Sequence, residues 1–138
     1  MKISSKSRCA ILFMVDLAKH NTGEPMRLKE VANRRQISEK FLEQSISVLN
    51  SAGLVRSVRG PRGGYILNGN PSEMTVGMIL RRIESNMFLT DYANGGDGSD
   101  VTVKVCEKLE DAIEKVVEEI YLQDLVDWED NMALNYCI

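Results

Sequence analysis

The chain is short of several features that would direct it to particular chemistries. It has no apolar run approaching the roughly 20 residues needed to cross a bilayer. Lys2, Lys6 and Arg8 open the sequence, and Asp16, Lys19 and His20 interrupt the apolar residues behind them. No apolar signal core forms there, and a cytoplasmic location with no membrane partner is expected. Three cysteines, Cys9, Cys106 and Cys137, are an odd number with neither short pairing nor metal-ligand spacing, so reduced thiols and no metal are expected. The one histidine, His20, falls at a helix end, where capping is the expected role. There is no nucleophile with a neighbouring base and no pair of carboxylates in an apolar setting. The glycine-rich run Gly60-Pro61-Arg62-Gly63-Gly64 lies between strand-like segments rather than ahead of a helix, which is wrong for a nucleotide loop. No enzymatic activity and no cofactor are expected.

What the chain does have is a division of charge. At 138 residues, 43% hydrophobic and 27% charged, it has the composition of one compact domain with an appended element. The net charge of −3 conceals two unlike parts. From residue 1 to 82 there are 14 Lys and Arg against 6 Asp and Glu, a balance of +8; from 83 to 138 there are 3 against 14, a balance of −11. A phosphate-facing surface is expected in the first part, with the second held away from polyanions.

Within the basic part, Ser38 to Tyr65 reads as one device. Leu42, Ile46, Leu49 and Ala52, with Phe41 and Val48 beside them, recur at helical spacing, with Ser38 as the cap and Gly53 as the stop. The opposite face carries Glu39, Lys40, Glu43, Gln44 and Ser47, polar groups suited to base edges in a major groove. Leu54 to Arg59 then alternates as a half-buried strand does, residues 60–64 turn, and Tyr65-Ile66-Leu67 returns. With a short helix over Lys29 to Arg35 ahead of it, and Gln36-Ile37 as the turn, this is the order of a winged helix-turn-helix.

The run Leu42-Glu43-Gln44, then Ala52-Gly53-Leu54-Val55, Ser57-Val58-Arg59-Gly60-Pro61 and Gly63-Gly64-Tyr65, with Met1-Lys2-Ile3-Ser4 at the start, resembles the Rrf family of bacterial transcription regulators. The resemblance covers most of the chain. It implies a mainly α fold with a small β-wing: a winged helix-turn-helix DNA-binding domain over residues 1–82, then a long dimerisation helix and tail over 83–138. It implies sequence-specific binding to double-stranded DNA as a homodimer. Lys40, Glu43 and Gln44 fall where family members read bases, and Arg59 where the wing enters the minor groove. Ser7 and Cys9 stand where relatives commonly have glycine and an aromatic. The residues assigned to DNA are Ser4, Lys6 and Arg8 at the first helix, Ser38, Lys40, Glu43 and Gln44 on the reader, and Arg59, Arg62 and Gly63 on the wing.

The remaining elements are set by pattern. A first helix starts at Ser4 or Ser5 and runs to about His20, burying Ala10 or Ile11, Met14, Leu17 and Ala18. Basic and hydroxyl groups at its N-terminus suit phosphate. Met26-Arg27-Leu28 is expected to pair with the wing as a short edge strand. Beyond the break at Asn68 to Pro71, Thr75 caps a helix in which Val76, Ile79, Leu80 and Ile83 share a face. Asn94 to Asp100 reads as a flexible loop. In cluster-binding members of the family this neighbourhood supplies three closely spaced cysteines; here Cys106 is alone, so no iron–sulfur cluster is expected. From Val101 to Tyr121 an apolar stripe longer than one small domain can cover implies a symmetric partner helix. A last helix from Leu122 to about Trp128 has Leu125, Val126 and Trp128 on its apolar side.

The expected function is a homodimeric repressor without a cluster, within the family most similar to its cysteine-metabolism branch. The alternative is a regulatory subunit that works mainly by binding a metabolic enzyme. That branch acts with cysteine synthase, an enzyme that accepts an isoleucine-ended tail, so Tyr136 and the terminal Ile138 are the expected contacts for that partner, with packing of the tail against its own domain as the alternative.

Overall fold

The computed structural model describes residues 2–84 and 101–136. Its order is α1 (Ser5–Lys19), α2 (Leu28–Arg35), α3 (Glu39–Ser51), β1 (Val55–Val58), β2 (Gly64–Leu67), α4 (Val76–Ile83), α5 (Val101–Glu119) and α6 (Leu122–Tyr136). It is a mainly helical fold with one small antiparallel hairpin, as expected.

Local chemistry sets the helix ends. The Ser4 hydroxyl accepts from the Ser7 amide, Ser38 from Phe41 and Thr75 from Met78, so α1, α3 and α4 each begin on a side-chain cap. At the far end of α1 the His20 amide returns to the Asp16 carbonyl, with Nδ1 3.0 Å from the same oxygen. Gly53, at φ 75°, turns the chain from α3 into the wing in a conformation that side chains resist.

α1 is the axis of the core. Phe13 and Met14 are fully buried and pack with Leu42, Ile46 and Leu49 of α3, Val31 and Ala32 of α2, and Leu122 and Val126 of α6. Each fully buried side chain of this size stabilises by about 1.5–3 kcal/mol. The hairpin pairs Val55 with Leu67 through Val58 with Gly64, and Tyr65 meets the Phe13 ring edge-to-face at 5.9 Å. The wing base is thus fastened to the core, not merely to its own strands. A smaller cluster, Val76, Leu80 and Val117, joins α4 to α5. There the Glu118 carboxylate lies so close to Gly77 that a β-carbon would come within 2.1 Å of its Oε1.

Three expectations need correction. Met26 pairs with Tyr65 as a single bridge rather than as a strand, because Leu28 already belongs to α2. The last helix does not stop near Trp128; it continues to Tyr136, since Glu129 is anchored by cations of α1 and α2. Trp128 is 51% exposed, while Leu122 takes its place in the core. The expected loop over 94–100 and the expected contact at Ile138 lie outside the described residues, and of Tyr136 only its place as the last residue of α6 is described.

Candidate nucleic-acid interface

The reader, α3, is fixed from beneath. Leu42 and Leu49 are fully buried and Ser45 beside them is sealed too, its hydroxyl donating to the Lys6 carbonyl at 3.1 Å. This bond holds the first turn of α1 against the middle of α3. The opposite face of α3 leaves Glu39, Lys40, Glu43, Gln44 and Ser47 in solvent. Ser38 is exposed and spends its hydroxyl on the Phe41 amide at 3.2 Å.

The wing tip carries Arg59 and Arg62, both exposed, on a turn that glycine alone permits. A β-carbon on Gly63 would stand 2.3 Å from the Val58 carbonyl oxygen, and one on Gly64 would stand 2.4 Å from that of Met26. The Gly63 amide donates to the Gly60 carbonyl at 2.9 Å. Gly63 is therefore structurally obligatory, whatever it also touches.

At the start of α1, Arg8 is exposed and Lys6 half-buried. The helix N-terminus also holds a carboxylate of the protein itself. Glu84, at the end of α4, already sits there: its Oε1 accepts from the Ser4 amide at 2.9 Å and the Ser7 hydroxyl at 2.6 Å. Hydrogen bonds first from Ser7 and then from Ser4 hold the Glu84 carboxyl below the usual range. Ser7 is fully buried, so this carboxylate is a built-in counter-ion for α1. No spacing in the sequence marks Ser7 and Glu84 as a pair; a buried serine one turn into a helix is the available signal.

Among the described residues, none of Lys6, Arg8, Lys40, Arg59 and Arg62 has a carboxylate partner. Four acidic residues of the C-terminal part, Glu114, Glu118, Glu129 and Asp130, pair with other cations. Glu114 and Glu118 of α5 face Arg81, and Glu129 of α6 forms paired bonds with Arg35 at 2.7 and 2.8 Å and meets Lys19 at 2.7 Å. Arg35 and Lys19 together hold the Glu129 carboxyl at about 2, the Arg35 hydrogen bonds being the larger cause. Arg34 and Arg35 also bracket the buried Asp16 of α1. This cluster locks the helix-turn-helix to α6.

A half-buried helix pair, a reader with a polar outer face and a basic hairpin define a winged helix-turn-helix DNA-binding regulator, not an enzyme. The chain belongs to the Rrf2 family, described as iron-dependent transcriptional regulators, whose profile matches residues 3–128. It is 35% identical over 130 residues to the HTH-type transcriptional regulator CymR of Bacillus subtilis, covering 94% of this chain and 93% of that protein. It is 37% identical over 131 residues to the HTH-type transcriptional regulator IscR of Pectobacterium atrosepticum, covering 91% of this chain and 79% of that one. The solved structure of CymR, the global cysteine regulator of B. subtilis, superposes with a TM-score of 0.81 at 34% identity, covering 93% of this chain and 98% of that one.

An iron–sulfur cluster, one form in which iron is held, calls for several converging thiolates. The described thiols do not supply that set. Cys9 is sealed in the α1 core, where burial pushes its thiol up despite the nearby Arg8, and Cys106 stands apart on α5.

Proposed function

We propose that this regulator is a homodimeric repressor that reads an operator of two half-sites, with residues 1–82 carrying the DNA contacts and 83–138 the pairing helix. One observation carries the reading. Lys40 on α3, Arg59 and Arg62 on the wing, and Lys6 and Arg8 at the α1 start have no carboxylate partner among the described residues, while Glu114, Glu118, Glu129 and Asp130 of α5 and α6 pair with cations of the first part. Lys40, Glu43 and Gln44 discriminate bases, Arg59 enters the minor groove, and Arg62, Lys6 and Arg8 hold phosphates.

Dimerisation is supported by α5. Val101 is 78% exposed, Val105 55%, Leu109 46% and Val116 55%, an apolar stripe along a 19-residue helix that nothing described covers. Trp128, Met132 and Leu134 extend the exposed apolar surface along α6. The thiol chemistry supports operation without a cluster. Likeness to the B. subtilis global cysteine regulator supports control of cysteine genes, acting in the cytoplasm; a cysteine synthase partner met through Tyr136 and Ile138 is carried by the sequence resemblance alone.

The test is a titration of the purified protein against duplexes selected from genomic fragments, with Glu43→Ala beside it. Sequence-selective binding by two chains per duplex, relaxed in the variant, supports the reading; equal affinity for selected and scrambled duplexes contradicts it.

A further inference from the structure

Arg27 belongs to none of the groups assigned to DNA, yet it reaches the wing tip. Its backbone is fixed at the N-cap of α2, where its carbonyl accepts from the Glu30 amide at 3.1 Å. Its side chain crosses to the hairpin and Nη2 donates to the Pro61 carbonyl at 2.6 Å. Two more bonds lie alongside at the base of the wing: Met26 N–H to the Tyr65 carbonyl at 2.9 Å and Tyr65 N–H to the Met26 carbonyl at 2.8 Å.

The base and the tip are held differently. The paired register ends at Val58 and Gly64, so residues 59–63 project beyond the ladder. Among the described residues, Arg27 to Pro61 is the one hydrogen bond between that tip and the rest of the protein; the bond from Gly63 to Gly60 is internal to the turn. A lone two-stranded hairpin is marginal in water, and its tip is the first part to swing.

Resting on the reading of the wing as a minor-groove element, we propose that Arg27 is a positioning residue that braces the wing tip against the helix-turn-helix. The brace fixes the pitch at which Arg59 meets its groove while α3 lies in the adjacent one. A strut from the start of α2 makes the two readers one rigid body, so groove spacing is imposed by the protein rather than found by the hairpin. Arg27 has no carboxylate partner among the described residues, so the competing role is that of an independent phosphate charge.

A double-mutant cycle separates the two, using the full-length chain and a duplex obtained by genomic-fragment selection. Arg27→Ala, Arg59→Ala and the double variant are titrated across a range of salt. Arg27→Ala is expected to weaken binding about fivefold, the scale of one lost hydrogen bond. In the Arg59→Ala background the same change should cost less than about 1.5-fold, because the brace then has nothing to place. In the DNA-free protein, exchange of the Gly63 amide, which is bonded to the Gly60 carbonyl, should rise several-fold in Arg27→Ala, with the melting temperature kept. Equal losses in both backgrounds, with a salt slope lower by about one, would make Arg27 a phosphate contact and overturn the proposal. No loss from Arg27→Ala while Arg59→Ala weakens binding overturns it and leaves the wing reading intact. No loss from Arg59→Ala removes both.

Discussion

Arg59 is the wing residue on which most of the affinity should rest. A guanidinium suits the negative potential of a narrow A·T-rich minor groove, and Arg59 is exposed without a competing carboxylate among the described residues. Arg59→Ala is expected to weaken operator binding by roughly 1–3 kcal/mol. Less than about a twofold change in a fluorescence titration would contradict that role. Glu43 should act in the other sense. On the proposed reading its carboxylate repels misplaced phosphates and accepts from cytosine, so Glu43→Ala should leave affinity within about threefold while broadening the sequences recovered from a randomised pool. An unchanged consensus would remove it from the reading set. At this scale the sequence was readable where exposure follows a regular spacing, as with Lys40 and Gln44. It was not readable where the role depends on a long-range partner. Ser7 meets Glu84 across 77 positions and Arg35 meets Glu129 across 94, and no local pattern marks either pair.

Among the elements, α3 and the wing were legible because period and punctuation agree: Ser38 caps, Gly53 stops and glycines 63 and 64 turn. α6 was misjudged because the polar run Glu129-Asp130-Asn131 follows Trp128, and a polar run looks like an end. It persists as helix because Glu129 is drawn to Arg35 and Lys19. That anchor has a definite acid response. The Glu129 carboxyl is depressed from 4.5 to about 2, so its stabilisation is complete above about pH 5 and is lost as pH falls towards 2. Between about pH 5 and 3 the urea midpoint of the wild type should fall more than that of Glu129→Gln, which at neutral pH loses about 1 kcal/mol or less because the pair is partly solvated. Parallel falls in the two proteins would show that the bonds do not anchor α6. For α5, Leu109→Glu places a charge in the exposed stripe. Sedimentation should then report a monomer in which thermal unfolding of the isolated fold shifts little, since the site is already 46% exposed. A dimer of unchanged affinity would move the pairing surface elsewhere.

For the molecule as a whole, a net charge of −3 is a poor guide to what it binds, because +8 and −11 occupy different stretches of the chain. The basic stretch is folded into α1 to α4 and the wing; much of the acidic stretch is on α5 and α6, where Glu114, Glu118 and Glu129 meet arginines of α4 and α2. Those pairs join the halves and leave Lys6, Arg8, Lys40, Arg59 and Arg62 free of them. In a symmetric dimer the two readers would face half-sites about one helical turn apart, which makes spacing a property of the α5 pairing. The most direct measurement is selection of bound genomic fragments by the purified protein at physiological salt. The account predicts recovered fragments that share an inverted repeat, bound by two chains, with A·T pairs where Arg59 lies and affinity falling when the half-sites are moved apart by a few base pairs. Fragments recovered with no shared sequence, or a motif indifferent to that spacing, would contradict it.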